Sequence, residues 1–286
     1  MRILRLSYKP KNSHYSNDKY FFEELSKQAD VYFLNINNKN PKTIQKKIDK
    51  LVLKYNFDLI YKSYMGNGFD SLNIKPLHTY GIPIVISAGD CHTRLNESRL
   101  NTISNYHKFD ALIVNNKSTI ESFNKYFDRK LSYIWIPWAY NPSIHKDYYL
   151  KKKWNVVIPA GNFVIPIRKQ IRDYYSNKRN LEYLDVFFKA RKGSISPKKY
   201  AKYINSCEIA ISTCQHDDLQ FFNGRFIGMT FNKFYEIPMC NSLHVAQRSA
   251  DLEDLGFEDG VNVVLFDSFP ECVEKINYYL KNKNEM

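Results

Sequence analysis

The chain has 286 residues and a mass of 33.9 kDa, enough for about two domains of roughly 150 residues each. Hydrophobic residues make up 44% and charged residues 25%, ordinary globular usage that excludes wholesale disorder. Lys and Arg number 42 against 29 Asp and Glu, a formal net charge of +13; that suits phosphate-bearing ligands, nucleic acid or an anionic membrane surface, but equally a chain merely rich in Lys, Asn and Tyr.

Taken in chain order, short β-branched or aromatic runs alternate with amphipathic helical stretches. Strands are expected at Ile3–Leu6, Val31–Leu34, Leu59–Tyr61, Ile84–Ser87, Ala111–Val114 and Tyr133–Ile136, with helical patterns over 18–29, 42–55, 95–106 and 117–127. The strands are near-continuous apolar runs, as in a parallel sheet covered on both faces. Ile136-Pro137-Trp138-Ala139-Tyr140-Asn141-Pro142 and the lysine-rich stretch to Lys153 interrupt the pattern. It restarts with strands at Asn155–Ile158, Tyr183–Phe188, Ile209–Ser212, Leu243–Ala246 and Val261–Phe266, and helices over 166–176, 197–205 and 230–239. A closing helix spans 270–281, with Pro270 in its first turn and Val273, Ile276, Tyr279 and Leu280 on one face.

This alternation predicts an α/β protein of two doubly wound Rossmann-like domains, residues 1–145 and 146–286, facing a cleft that holds the ligand. No apolar run approaches the roughly 20 residues that cross a bilayer, and the opening residues lack a secretory signal's apolar core. Cys91, Cys207, Cys214, Cys240 and Cys272 are widely spaced with no C-x-x-C pair, against a disulfide framework or structural zinc. A cytoplasmic protein with reduced thiols is expected.

Several chemistries leave no signature. Tyr8-Lys9-Pro10-Lys11 follows the first strand where a dinucleotide fingerprint would stand. There is no P-loop, no G-x-S-x-G elbow, no H-E-x-x-H and no nucleic-acid module. Asp90-Cys91-His92 and His216-Asp217-Asp218 have no metal-ligand partner at recognised spacing, so no metal and no cofactor are expected.

The informative stretch runs from Ser196 to Leu280. It contains Ser196-Pro197-Lys198-Lys199-Tyr200, then Lys233-Phe234-Tyr235-Glu236-Ile237-Pro238-Met239-Cys240-Asn241-Ser242, then Leu252-Glu253-Asp254-Leu255-Gly256. Val263-Val264-Leu265-Phe266 and Ile276-Asn277-Tyr278-Tyr279-Leu280 close it. This order resembles the C-terminal domain of group 1-type glycosyltransferases of the GT-B fold, most closely the branch with the spore-maturation-protein glycosyltransferases. Gly81-Ile82-Pro83-Ile84-Val85 and Ala111-Leu112-Ile113-Val114-Asn115-Asn116 are similar to stretches of that family's acceptor domain.

The resemblance implies a metal-independent glycosyltransferase that moves a sugar from a nucleoside diphosphate donor to a glycan, lipid-linked or protein acceptor. Peripheral contact with an anionic membrane is compatible with it; specific nucleic-acid binding is not expected. It places the ribose-binding carboxylate at Glu236, and a carboxylate accepts well from both ribose hydroxyls. Lys233 stands three residues earlier and shares that helix face. Arg168, and more weakly Arg225, are placed as contacts to the diphosphate, whose charge grows as the glycosidic bond breaks. Asp90 or His92, beyond a strand of the first domain, would act as general base, with His14 an outside choice. Tyr133, Trp135, Trp138 and Tyr140 could stack a sugar or simply pack.

Two departures matter. Many group 1 enzymes carry a second glutamate where Gly228 stands here. The glycine turn after the helix is replaced by Asn241-Ser242, where Asn still tolerates a left-handed backbone. Both departures leave open a non-catalytic sugar-nucleotide or polyanion-binding protein with a degenerate fold.

Overall fold

The computed structural model describes residues 1–7, 17–36, 40–62, 75–87, 108–117, 120, 124, 132–158, 166–178, 182–186, 195–214, 221–222, 225–226 and 230–286. Of residues 17–20, 221–222 and 225–226 only the backbone is described. The chain divides into two units, Met1–Pro137 and Trp138–Met286.

In unit 1 the strands are β1 (Arg2–Ser7), β2 (Asp30–Asn35), β3 (Leu59–Lys62), β4 (Ile84–Ser87), β5 (Ala111–Val114) and β6 (Ser132–Trp135). They form one parallel sheet in the order β2-β1-β3-β4-β5-β6. Alternate strand residues face opposite sides, and both sides are apolar. Leu4, Leu6, Ile60, Ile84, Ile86, Leu112 and Val114 pack with Ile44 and Ile48 of helix α2 (Pro41–Lys54). Ile3, Tyr61 and Ile113 pack with Phe22 of helix α1 (Asn17–Leu25). Helix α2 starts where the sequence says it should: Asn40 Oδ1 accepts from Lys42 N–H at 2.9 Å and Pro41 occupies the first helical position. The helical pattern over 95–106, and most of 117–127, lies outside the described residues.

Unit 2 repeats the plan with β7 (Trp154–Ile158), β8 (Tyr183–Asp185), β9 (Cys207–Ser212), β12 (Leu243–Gln247) and β13 (Val264–Phe266), parallel in the order β13-β12-β9-β7-β8. A two-residue antiparallel pair, β10 (Phe221–Phe222) and β11 (Arg225–Phe226), precedes β12. Helices α3 (Pro166–Ser176) and α6 (Phe269–Lys281) cover one face through Ile171, Tyr175, Cys272 and Ile276. Helices α4 (Pro197–Asn205) and α5 (Asn232–Met239) cover the other through Tyr200, Ala201, Ile204 and Ile237. Ser196 caps α4 and Ser268 caps α6, each accepting a backbone N–H at 3.4 Å, with Pro197 and Pro270 just inside. Cys207, Cys214, Cys240 and Cys272 are buried free thiols.

The division falls after Pro137: in the segment before residue 146, Ile144 packs on the unit 2 core and His145 Nε2 lies 3.5 Å from Glu236 Oε1, and the residues that follow are bonded to the same unit. Asp147 accepts from Asn205 Nδ2 and Asn241 Nδ2, both at 2.9 Å. Leu150 N–H donates to Asn205 Oδ1 at 3.1 Å, and Lys152 Nζ donates to the Asn205 and Asn241 carbonyls. Two strands are shorter than expected. The last begins at Val264, since Val261 N–H turns back to the Glu258 carbonyl and Gly260, at φ 78°, bonds the Val263 carbonyl. The strand from Tyr183 ends at Asp185. Tyr133 and Trp135 pack on the unit 1 core, with Trp135 Nε1 donating to the Asn115 carbonyl, so packing accounts for them.

Candidate functional site

In unit 2 the chain runs outward from β7 to β8, then crosses back so that β9 lies on β7's other side. Ligands of doubly wound sheets bind beyond the carboxyl ends of the strands at such a reversal. β7 ends at Ile158 and β9 at Ser212, followed by buried Thr213 and Cys214. Helices return antiparallel to the strands, so the N-termini of α3, α4 and α5 stand at this same edge and offer partial positive charge.

Arg168 sits in the first turn of α3 and is 6% exposed. Its Nε donates to Thr213 Oγ1, and its Nη2 to the carbonyls of Thr213 (3.1 Å) and Cys214 (3.5 Å). A guanidinium stays charged at this depth, so the reversal carries a fixed cation.

Helix α5 buries Phe234 and Ile237, and this leaves Lys233 and Glu236 together on another face. Burial and the nearby Arg168 charge push the Lys233 ammonium down to about 7, against the pull of Glu236. Burial pushes the Glu236 carboxyl up to about 7, opposed by Lys233 and by hydrogen bonds from Tyr200 and Asn232. A fixed guanidinium, an amine and a carboxyl, the last two both moved to about 7, therefore share a desolvated edge. Such a set has spare affinity for an anion.

His145 also reaches this carboxylate. Its Nε2 lies 3.5 Å from Glu236 Oε1, and its Nδ1 accepts the Asn141 N–H at 3.1 Å. Burial pushes its imidazole down to about 4, so the ring is neutral at pH 7.

The structure thus brings Arg168, Lys233 and Glu236 together at one edge. Arg225 lies in the β10/β11 pair, with its side chain outside the description. Asp90, His92 and His14 lie outside the described residues, as does Gly228. Sequence reasoning missed His145 and Tyr200. The signal for His145 was local: Asn141-Pro142-Ser143 is a turn signature, and Asn141 Oδ1 accepts from Ser143 N–H at 2.9 Å. Among the described residues no group of His, Cys, Asp and Glu could hold a metal ion, and no helix is long and apolar enough to cross a membrane.

Residues 157–286 match the sequence model of a family described as glycosyl transferase-like. The chain is also similar in structure to sucrose-phosphate synthase from Thermosynechococcus elongatus, with a TM-score of 0.62 at 9% identity, over 100% of this chain and 91% of that one. The fold is GT-B. No curated protein sequence matches the chain. The family match spans α3 to α6 and so includes Arg168, Lys233 and Glu236.

Proposed function

We propose that this GT-B protein is a glycosyltransferase whose second unit holds a nucleoside diphosphate sugar and whose first unit presents the acceptor. The supporting observation is the meeting of Arg168, Lys233 and Glu236 at the β7/β9 reversal, inside the glycosyl transferase-like match. Glu236 accepts from the ribose hydroxyls. Arg168, Lys233 and the N-termini of α3 and α5 face the diphosphate and stabilise the charge that develops on it as the glycosidic bond breaks. An incoming diphosphate favours the charged ammonium, so Lys233 regains its proton as the donor binds.

On this reading protein cations and helix dipoles take the place of a divalent ion, and activity persists in EDTA. Asp90 or His92 serves as the acceptor-side base and Arg225 as a further diphosphate contact. The order of motifs from Ser196 to Leu280 supports the spore-maturation-protein branch. The buried free thiols of Cys207, Cys214, Cys240 and Cys272 support a reducing, cytoplasmic site of action, and the net charge of +13 supports peripheral contact with an anionic membrane. A glycan, lipid-linked or protein acceptor fits equally.

Gly228, standing where the resemblance expects a glutamate, favours a second reading as a non-catalytic sugar-nucleotide-binding protein. Calorimetry with UDP, GDP, ADP and CDP tests the donor site. One of them binds, and Glu236→Gln lowers its affinity by roughly 10- to 100-fold without lowering the melting temperature of the unliganded protein. Binding by none of them, or equal binding by the variant, overturns the site. Hydrolysis of the matching nucleotide sugar without acceptor separates the enzyme from the binding protein.

A further inference from the structure

Glu236 is faced from three directions. Tyr200 reaches it from α4, and Asn232 and Lys233 lie on its own helix, with Arg168 beyond Lys233 and Cys240 just past the helix end. The third direction is the segment before β7, whose His145 is 6% exposed. A neutral imidazole has one N–H and one bare nitrogen. The bare nitrogen is fixed as Nδ1, because it accepts the Asn141 N–H at 3.1 Å. The proton is therefore on Nε2, the atom 3.5 Å from Glu236 Oε1.

We propose that His145 is a positioning residue for Glu236: its Nε2–H donates to the carboxylate and sets which acceptor directions remain for the ligand. The segment 141–152 is the strap that keeps the ring in place. At its near end Asn141 accepts the Ile144 and His145 N–H groups at 3.0 and 2.7 Å. Midway along it Asp147 bridges Asn205, the last residue of α4, and Asn241, in the turn after α5. Asn205 Nδ2 also donates to the Cys240 carbonyl at 2.8 Å. The strap is thus tied to the C-terminal ends of the two helices that carry Tyr200 and Glu236.

A neutral donor suits the task. It orients a carboxylate without placing a further cation beside Arg168 and Lys233, and burial, which pushes the imidazole down to about 4, keeps it neutral at pH 7. The effect on ligand binding rests on the donor reading of Glu236; the effect on the carboxyl itself does not.

The test therefore has two readouts. The first is the infrared carboxyl titration of ¹³C-Glu-labelled protein, with Glu236→Gln as the subtraction. His145→Ala removes a donor to the anion and moves the Glu236 midpoint up by about one pH unit. His145→Gln, which keeps an N–H, restores most of it. Asp147→Asn, which loosens the strap, gives an intermediate shift and serves if His145→Ala does not fold. The second is affinity for the best-binding of UDP, GDP, ADP and CDP. His145→Ala loses about tenfold at pH 7, and nothing further in the Glu236→Gln background. An unmoved midpoint, or an equal loss with and without Glu236, overturns the proposal. If no nucleoside diphosphate binds the wild type, the donor reading fails while the infrared midpoint still decides the role of His145.

Discussion

The two units share one plan, a parallel doubly wound sheet whose chain reverses beside its first strand, yet the described residues at their carboxyl edges differ. At the unit 1 reversal β1 ends in Ser7 and β3 in Lys62, both buried, and Lys62 is the one charged side chain that unit 1 buries among the described residues. Unit 2 buries Arg168, His145 and Asp251 and shields Lys233 and Glu236 beside them. The apolar layers of both units are alike, so they account for the fold. What sets unit 2 apart is the group of buried polar side chains at its edge. That edge is costly: Lys233 and Glu236 are held away from their usual pKa values by lost hydration, a form of instability typical of binding sites.

The largest test of the contrast removes α6. Cys272 and Ile276 are fully buried against the unit 2 sheet, with Phe269, Tyr279 and Leu280 packed beside them. At about 1.5–3 kcal/mol per fully buried large side chain, truncation after Asp267 destabilises unit 2 by several kcal/mol. Calorimetry follows the effect: the transition of unit 2 falls and that of unit 1 keeps its midpoint. A single transition that falls as a whole would show that the units are not separate in stability.

The next test concerns the cost of the edge. A lysine whose folded pKa lies below its unfolded value binds fewer protons when folded, so its contribution to stability rises with pH through the window from about 7 to the usual lysine range near 10.4. Glu236, raised to about 7, works in the opposite sense. Its folded form holds the proton more tightly, so its contribution falls as pH climbs from the usual glutamate range to about 7. The unliganded pair is therefore at its weakest near neutrality. Lys233→Met removes the desolvated ammonium, raises resistance to urea at pH 7, flattens the rise between pH 7 and 9, and weakens nucleoside diphosphate binding. A variant that is less stable at pH 7 would mean that the ammonium is well paired, and the contrast between the two edges would shrink.

How much of this could be read in advance depended on range along the chain. The strands at Ile84–Ser87 and Ala111–Val114 are legible to the residue because continuous apolar runs have no other use in a buried parallel sheet. The pairing of Lys233 with Glu236 is legible because helical spacing fixes it. The Asn241 turn is legible because few other residues accept φ near 54°. The depth of Arg168 was not: its partners, Thr213 and Cys214, are distant in sequence and next to it only because β9 lies against β7. The same holds for the strap, whose lysine-rich sequence reads as a linker while its bonds to Asn205 and Asn241 depend on the folded sheet.

The smallest test compares the turns that feed one inner strand of each sheet. In unit 1 a short 3₁₀ turn, Leu77–Tyr80, ends at Gly81 with φ 68° before β4. In unit 2 helix α5 ends in a turn in which Asn241 has φ 54° before β12. Both positions need the left-handed region, which costs an ordinary L-residue roughly 1–2 kcal/mol, Gly nothing and Asn little. A Cβ at Gly81 would meet nothing within 4 Å, so substitution there reports the backbone alone. Gly81→Ala therefore destabilises by about 1 kcal/mol and Gly81→Asn by less. At Asn241 the side chain does a second thing, donating to Asp147 at 2.9 Å. Asn241→Gly relieves the backbone but loses that exposed bond, and urea denaturation should place it within about 0.5 kcal/mol of wild type. Asn241→Ala loses both, and should cost about 1–2 kcal/mol. If Asn241→Gly proves as damaging as Asn241→Ala, the bond to Asp147 outweighs the backbone term, and the strap contributes more to unit 2 than its exposure suggests.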